Sequence, residues 1–314
     1  MRIGIQSQGN LGSQMVQLLL AIWVKETACV PVEIVGYSIP EFELMSALPS
    51  DFSKRSLSFR GRHVEPAMLR RYADYGLIED FRLDRVVMRS TCFPCVESAR
   101  KVFAKRYECT HIPSDNELII NVRGDEILNN RHSGYGPIPL AYYRMLIEET
   151  GLKPVFMGQL GADWYSELLR RHFPDAEFLQ SGGKMSDFET LRRARNVVLS
   201  VSSFSYLGGW LSEADTIFLP VLGSFDPRLR PDIDAIPRAD KRFRYHLFPQ
   251  RLWNASDAQK AELEKEMIIP EVTASELAVL LAKARRNHGY DALVQDVKFL
   301  TRVVWYYSKR RLKT

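Results

Sequence analysis

The 314-residue sequence is poor in cysteine and has no long apolar run. Its four cysteines, at positions 29, 92, 95 and 109, are too few and too irregularly spaced for a disulfide framework in a chain of this length. Since about 18 consecutive apolar residues are needed to span a bilayer, a transmembrane helix is not expected. The first residues enter a strand pattern without the features of a secretory signal. These absences predict a protein of the reducing cytoplasm.

The sequence also lacks a strong excess of one charge along most of its length. Lys and Arg outnumber Asp and Glu by 43 to 38, a net charge of +5, and the basic residues are spread out until the C-terminus. This distribution argues against a nucleic-acid-binding protein. The composition, 46 % apolar and 26 % charged, is typical of a globular protein, and the length allows two domains.

What the sequence does contain is an alternation of short apolar strands with amphipathic helices. A strand at residues 3–6, a glycine turn and a helix open the chain, and strand and helix alternate about five times between residues 116 and 221. This order predicts an α/β fold with a doubly wound parallel sheet. The predicted organisation is an N-terminal α/β domain at 1–112, a second Rossmann-type domain at 113–255, and a helical segment at 256–314 that packs across the domains.

Local signals place individual elements. Ser186 and Glu189 match a capping box and predict a helix start there. Residues 225–253, rich in Pro, Arg and aromatic side chains, are expected to wrap over the surface or a cleft. The tail, 290–314, is predicted as a helix with one apolar face and a basic end. A terminal helix packed on a domain explains that pattern, and the basic end is also a candidate for peripheral contact with an anionic membrane face.

The most informative stretch is residues 196–211. A buried strand is predicted at 197–201, a hydroxyl cluster follows, and an apolar helix with the small pair Gly208-Gly209 completes it. Ser202, Ser203 and Ser205 therefore stand where a strand ends and a helix begins, which is a common place for anions to bind. Taken alone, helix capping by serine explains the cluster at least as well.

Two further strand ends carry candidate groups. Gly9 and Gly12 follow the first strand, where glycine lets backbone N–H groups approach a ligand. They do not form the dinucleotide fingerprint, because its third glycine is missing, and a tight turn is an equal explanation. Arg123 ends a predicted central strand and could grip a diphosphate, and Asp125 or Glu126 could act as a general base. A simple ion pair at a strand end is the alternative.

Cysteine chemistry offers a different function. Cys92 and Cys95 have the spacing of a dithiol redox site before a helix. They lie in a poorly patterned region, so ordinary core or surface cysteines are preferred. A zinc site at Cys92 and Cys95 is a weaker hypothesis, because no second pair of ligands is present: Cys109 lies nearby, and His111 is the only candidate beside it.

Three segments, in order, resemble the α1,2-fucosyltransferases and, more distantly, the α1,6- and protein O-fucosyltransferases. The first resembles the family motif Gly-Gly-Leu-Gly-Asn-Gln, with Ser in place of Asn, and comprises Gly9, Asn10, Leu11, Gly12, Ser13 and Gln14. The second, residues 121–126, is similar to His-x-Arg-Arg-x-Asp, but the His and the second Arg are replaced. The third, residues 202–211, is similar to a Ser-Ser-Phe-Ser segment followed by an aromatic helix.

The resemblance implies a GT-B-like fold of two facing Rossmann-type domains with parallel sheets and C-terminal helices. It implies an inverting, metal-independent glycosyltransferase without a cofactor, most simply one that transfers fucose from GDP-fucose to a hydroxyl of a glycan or lipid-linked oligosaccharide. In that reading Arg123 neutralises the leaving diphosphate, the groups around Ser202, Ser203 and Ser205 hold it, and Asp125 or Glu126 is the base. The glycine loop, residues 9–14, is also counted among the groups that bind the nucleotide-sugar. The remaining candidates rest on position: Phe204, Tyr206 and Gln159 beside the nucleoside, and His132 and Tyr135 on an acceptor or donor loop.

The residues lost from the second motif leave another possibility open. A protein that binds a nucleotide-sugar or a carbohydrate without turnover would not need a complete catalytic motif. The sequence therefore leaves three hypotheses: a glycosyltransferase, a catalytically inactive binding protein, and a thiol-disulfide oxidoreductase.

Overall fold

The chain folds as two compact units in a computed structural model that describes residues 1–52, 56–59, 65–76, 78–129 and 134–311. Unit 1 comprises Met1–Lys105, Pro231–Ala235 and Leu281–Thr314, and unit 2 comprises Arg106–Arg230 and Ile236–Leu280. The segment that the sequence predicts as one C-terminal part, 256–314, is thus divided after Leu280.

Unit 1 begins as the sequence predicts, with a strand, a glycine turn and a helix. In chain order its elements up to residue 102 are β1 (Arg2–Ile5), α1 (Leu11–Thr27), β2 (Glu33–Val35), β3 (Ser38–Ile39), β4 (Leu44–Met45), β5 (Leu57–Ser58), α2 (Ala67–Asp74), β6 (Asp80–Leu83) and α3 (Val96–Val102). Its main sheet has the order β2-β1-β6-β5 with every neighbouring pair parallel. β3 and β4 form a separate antiparallel pair.

Unit 2 contains the longer sheet. Its elements from residue 117 are β7 (Glu117–Val122), α4 (Leu140–Thr150), β8 (Lys153–Gly158), α5 (Trp164–His172), β9 (Glu177–Phe178), α6 (Lys184–Arg193), β10 (Asn196–Val198), α7 (Ser203–Trp210), β11 (Thr216–Val221), β12 (Phe243–Leu247), α8 (Asp257–Glu262) and β13 (Glu271–Val272). Two helices follow, α9 (Ala274–Asn287) and α10 (Gly289–Arg311).

The strand order of unit 2 is that of a Rossmann-type sheet. The seven strands are ordered β13-β12-β11-β10-β7-β8-β9, and all neighbouring pairs are parallel except β12 with β13. Read from β9, the six parallel strands follow the order 3-2-1-4-5-6 of their unit, the doubly wound arrangement. The predicted class, α/β with two parallel Rossmann-type sheets and C-terminal helices, is confirmed.

Simple sequence signals explain why unit 2 folds in this way. Every residue of β7 is buried, and its apolar run Leu118–Ile120 is typical of a central parallel strand. α4 ends at Gly151, whose left-handed backbone (φ 63°) directs its N–H to the carbonyl of Ile147. α7 packs closely because Gly208 and Gly209 have no side chain: added Cβ atoms would lie 3.0 Å from Leu191 and 2.7 Å from Leu199.

Three local predictions are wrong. α6 begins at Lys184, before the predicted capping box, because Ser186 instead accepts a hydrogen bond from the backbone N–H of Thr110, and Glu189 is buried and paired with Arg106. The strand predicted at 197–201 is confined to Asn196–Val198. Within the segment expected to wrap over the surface, Phe243–Leu247 is a strand of the sheet.

Candidate functional site

The candidate site lies at the carboxyl edge of the unit 2 sheet, where the strand order reverses. β7 is at the centre, with β8 on one side and β10 on the other, so the connections that leave β7 and β10 run in opposite directions. Such a switch point leaves a crevice in which doubly wound proteins bind their ligands. Arg123 directly follows β7, and Ser200, Val201 and Ser202 follow β10. The structure therefore brings together two of the three strand ends that the sequence analysis selects.

Arg123 is fixed across this crevice. One terminal nitrogen of its guanidinium donates to the carbonyl of Val201 at 3.0 Å, and the other donates to Glu126 at 2.6 Å. The guanidinium carbon also lies 5.3 Å from the centre of the Tyr135 ring, a cation–π contact. These two bonds use two of the five guanidinium N–H groups, and the side chain is 25 % exposed. A cation held in one position and open to solvent on one side is able to bind an anion.

A small pocket opens beside Arg123. Its walls come from the loops after β7 and β10 and from the start of α4. It is lined by Arg123, Ile127, Tyr135, Gly136, Ile138, Tyr143, Ser200 and Val201. The pocket thus combines one cation with mostly apolar walls, but its volume of about 10 Å³ has room for no more than a water molecule. A ligand of Arg123 would therefore lie at the mouth of this pocket rather than inside it.

Two carboxylates follow Arg123 on the turn Asp125–Ile127, and their environments differ. Burial alone would raise the pKa of Glu126, but hydrogen bonds from Arg123 and Gln159 and the charge of Arg123 lower that pKa below its usual value. Asp125 is exposed and has a left-handed backbone, φ 53°, which Asp tolerates better than most residues. Glu126 is committed to an ion pair with Arg123, whereas Asp125 is exposed and therefore the carboxylate that an acceptor hydroxyl can reach.

A buried polar pair joins the ends of β7 and β10 next to Arg123. The hydroxyl of Ser200 donates to Asn121 Oδ1 at 2.7 Å, and both side chains are buried. Satisfied buried pairs of this kind hold neighbouring segments in one geometry. Sequence reasoning missed the pair, although a signal was present: Asn121 is a polar side chain within an apolar central strand and must find a partner there.

The three serines have separate roles. Ser202 is the N-cap of α7, and its hydroxyl accepts from the backbone N–H of Ser205 at 3.0 Å, so the capping explanation is confirmed for it. Ser205 is buried, and its hydroxyl accepts from the backbone N–H of Ser200 at 3.0 Å. Ser203 is partly exposed in the first turn of α7. In that turn the N–H groups of Ser203 and Phe204 have no intrahelical carbonyl within reach, as is general for the first turn of a helix, where anions commonly bind.

The aromatic and amide candidates differ in accessibility. Phe204 is partly exposed and contacts the edge of Phe188, with ring centres 5.2 Å apart. Tyr206 is fully buried between Phe225 and Phe243, so the prediction that it borders a nucleoside is wrong.

The other predicted residues of this region lie beside the turn or in the following loop. Gln159 is exposed and accepts from the backbone N–H of Gly124 at 3.1 Å, beside the turn that carries Asp125. Tyr135 lies against Arg123, as described above. His132 lies outside the described residues.

The glycine loop belongs to unit 1 and follows β1, at the place where the unit 1 sheet reverses its order between β1 and β6. Gly9 has φ +71°, a conformation that favours glycine. Gln17 is buried and braces the loop, since its side chain accepts from Gln8 N–H and donates to the Gln6 carbonyl. Gln14 donates to the Gly9 carbonyl.

Within that loop the predicted binding residues fall into two groups. Leu11 and Gly12 are buried in the first turn of α1, whereas Asn10 is exposed and Ser13 and Gln14 are partly exposed. Only the second group and the backbone of Gly9 can be reached by a ligand.

The cysteines do not form an activated dithiol. Cys92 is buried, and burial raises the pKa of its thiol to about 11, whereas a reactive thiol needs a lowered pKa. Cys95 is exposed at the start of α3. The oxidoreductase hypothesis is therefore not favoured. In the described part of the chain, no three His, Cys, Asp or Glu side chains are grouped so that they could hold a metal ion.

The fold and the site define the class of protein: an α/β chain with two Rossmann-type parallel sheets and a fixed arginine at the switch point of the second sheet. No protein-family model matches the chain, and no curated protein matches it significantly. Among solved structures, the chain is similar to the Escherichia coli heptosyltransferase WaaC with ADP. The two share 14 % identity with a TM-score of 0.41, over 90 % of this chain and 100 % of that one. The fold class given above rests on strand order alone.

Proposed function

We propose that this chain is a glycosyltransferase that takes its sugar from a nucleotide donor. The observation that carries the proposal is the position of Arg123, a fixed and partly exposed cation at the switch point of a Rossmann-order sheet, across from the start of α7. A dianionic diphosphate has the charge and size to bridge a guanidinium and helix N–H groups. The N–H groups of Ser203 and Phe204 supply the second half of this site.

The donor we propose is GDP-fucose. The support comes from the sequence, because residues 9–14, 121–126 and 202–211 resemble the motifs of the fucosyltransferases in the same order. The acceptor is a hydroxyl of a glycan or of a lipid-linked oligosaccharide. Both specificities go beyond what the geometry supports, which is only that the site suits a diphosphate.

The reaction we propose is a direct displacement at the anomeric carbon with inversion. Its transition state has an oxocarbenium-like sugar and a leaving diphosphate that gains negative charge. Arg123 and the first-turn N–H groups of α7 stabilise that charge from fixed positions, which is how an enzyme lowers such a barrier without rearrangement. Asp125 removes the proton from the acceptor hydroxyl, and Glu126 keeps Arg123 in place.

The first experiment is a donor screen with the full chain. Thermal unfolding is measured with GDP-, UDP-, CMP- and dTDP-sugars, because a ligand at 100 times its Kd stabilises a protein by about 2.7 kcal/mol. GDP-fucose should give the largest shift, and a broad acceptor panel should then yield GDP and a product of inverted anomeric configuration. If no nucleotide changes the unfolding temperature, the proposal fails.

A binding protein without turnover is the second candidate. One observation favours it: Asn121 replaces the histidine of the family motif and is buried against Ser200, so it offers no exposed imidazole. A thermal shift with GDP-fucose, but neither transfer nor hydrolysis over the acceptor panel, would select this candidate.

A further inference from the structure

The C-terminal helix α10 has one buried face and one uncovered apolar face. Phe299 and Val303 are 1 % and 4 % exposed and anchor the helix in unit 1. The Phe299 ring contacts Phe59 and Tyr72, with ring centres 5.9 Å and 5.8 Å away. The helix is therefore packed on its own unit through one side.

The second face we call the apolar stripe; it consists of Leu293, Val297, Leu300, Val304 and Tyr307. These residues are 60 %, 52 %, 43 %, 64 % and 37 % exposed. They follow one another at intervals of four and three positions, so they form a single row along more than three turns of helix. A continuous row of four exposed aliphatic side chains and one tyrosine is unusual on a protein surface and indicates an interaction.

The charge of this segment identifies the kind of partner. Residues 297–314 contain six Lys or Arg and no Asp or Glu. That local charge exceeds the net charge of the whole chain, +5, so the other residues are together close to neutral. The partner of the apolar stripe must accept aliphatic side chains and also carry negative charge.

We propose that α10 binds the surface of an anionic lipid bilayer and lies in the plane of its interface. Interfacial helices combine an apolar row with Lys and Arg, and anionic lipid headgroups attract such cations. Trp305 is 56 % exposed, and the ammonium of Lys309 lies 5.5 Å from its ring centre. Tryptophan and lysine side chains are both typical of the headgroup region of a bilayer, where an apolar body and a polar group are accommodated together. Among the helices of the described ranges, none combines the length and apolar character that crossing a bilayer requires.

Charge argues against a second copy of the chain as the partner. A second copy would bring the same net positive charge to the stripe, whereas an anionic surface attracts the cations of this segment. The proposal concerns where the chain binds and does not depend on the sugar donor.

The test is co-sedimentation of the full chain with vesicles of phosphatidylcholine, with and without phosphatidylglycerol, at low and high salt. The chain should sediment with the phosphatidylglycerol vesicles, and less so at high salt. The double variant Leu300→Ser, Val304→Ser should lower the partition coefficient by at least about tenfold. Ile268→Ser, in an exposed isoleucine outside α10, is the matched control and should leave it unchanged.

Circular dichroism checks that both variants fold, which is expected because all three side chains are exposed. Lys298→Glu with Arg302→Glu tests the electrostatic part in the same assay and should also weaken sedimentation. Absence of sedimentation with anionic vesicles, or equal sedimentation of wild type and the stripe variant, would overturn the proposal. The proposal would also be overturned if light scattering showed that the wild type is a dimer, that the stripe variant is a monomer, and that the wild type does not bind vesicles.

Discussion

The two units carry different side chains at the switch points of their parallel sheets. In each, the sheet reverses its order beside a central parallel strand, and a loop and a helix follow that strand. Unit 2 puts a fixed cation there, Arg123, with two carboxylates behind it. Unit 1 puts a glycine loop there, and residues 3–24 contain no charged side chain at all. From this difference we propose that the unit 2 switch point binds an anion and that the unit 1 switch point binds a neutral ligand rich in hydrogen-bonding groups.

This difference matches the two substrates of the proposed reaction. A nucleoside diphosphate is an anion, and its binding requires cations and N–H donors. A glycan is neutral, and its hydroxyl groups are recognised by amides, hydroxyls and backbone groups, which Asn10, Ser13 and Gln14 provide in the first loop. We therefore propose that unit 2 binds the donor and that unit 1 binds the acceptor. This proposal moves the loop 9–14, which the sequence analysis counts with the nucleotide-sugar site, to the acceptor side.

The largest expected effect comes from removing the charge of unit 2. Arg123→Ala should lower the transfer rate by about 10²–10³-fold, because a fixed charge aimed at the leaving group is among the strongest catalytic contributions. The matched control is Arg171→Ala, in an arginine of the same unit that is 67 % exposed and pairs with Glu264. Initial rates with GDP-fucose are the measurement. Equal activity of the two variants would show that Arg123 does not bind the leaving diphosphate, and the proposed difference between the two units would then be wrong.

The second prediction separates the two carboxylates. Asp125→Asn should lower kcat by about a hundredfold and leave the Kd of GDP unchanged, because the proton acceptor is lost and the phosphate contacts are not. Asn also tolerates the left-handed backbone of this position, so the turn should survive. Asp175→Asn, in an exposed aspartate of unit 2, is the control. A larger kcat loss in Glu126→Gln than in Asp125→Asn would reverse the assignment.

How far the sequence predicts this molecule depends on whether a signal is local. The strand Glu117–Val122 and the helix end at Gly151 are predictable, because each depends on neighbours in sequence. The pair Gly208-Gly209 predicts close packing because neither residue has a side chain, although it does not name the contacts, Leu191 and Leu199. The capping box predicted at Ser186 does not form, because the serine hydroxyl instead accepts a hydrogen bond from the backbone N–H of Thr110, 76 residues away. No local pattern contains that contact.

The same limit applies to the candidate site. Arg123 and the serines are identifiable because they follow apolar strands. The sequence does not show which serine hydroxyl is available to a ligand. The hydroxyl of Ser205 accepts a hydrogen bond from the backbone N–H of Ser200, and the hydroxyl of Ser202 caps the helix. The fixed geometry of Arg123 also depends on the Val201 carbonyl, and a backbone group carries no sequence signal.

A smaller effect is expected in unit 1. Gly9→Ala places a Cβ 3.1 Å from Ser13 at a positive φ and should distort the loop. The KM for the acceptor should rise about tenfold while the Kd of GDP stays unchanged, which sharpens the contrast between the units. Gly76→Ala is the control, because Gly76 shares the positive φ but has no atom within 4 Å of the added Cβ. Weakened GDP binding in Gly9→Ala would contradict the division of substrates.

The smallest effect concerns the stability of unit 2 at acid pH. The pKa of Glu126 is lowered in the folded chain, so its stabilising contribution is present above its usual pKa of 4.5 and is lost as the pH falls through the lower folded value. Urea unfolding below pH 4.5 should therefore show less acid destabilisation for Glu126→Gln than for the wild type. Glu213→Gln, in an exposed glutamate of the same unit, should behave as the wild type does. An unchanged pH profile for Glu126→Gln would show that the ion pair contributes no stability.

The most direct test of a diphosphate site in unit 2 compares GDP with guanosine by titration calorimetry, in the wild type and in Arg123→Ala. The diphosphate should improve wild-type affinity by at least about a hundredfold over the nucleoside. In Arg123→Ala most of that ratio should disappear while guanosine binds as before, because only the phosphates contact the arginine. An equal ratio of GDP to guanosine affinity in both proteins would contradict the account.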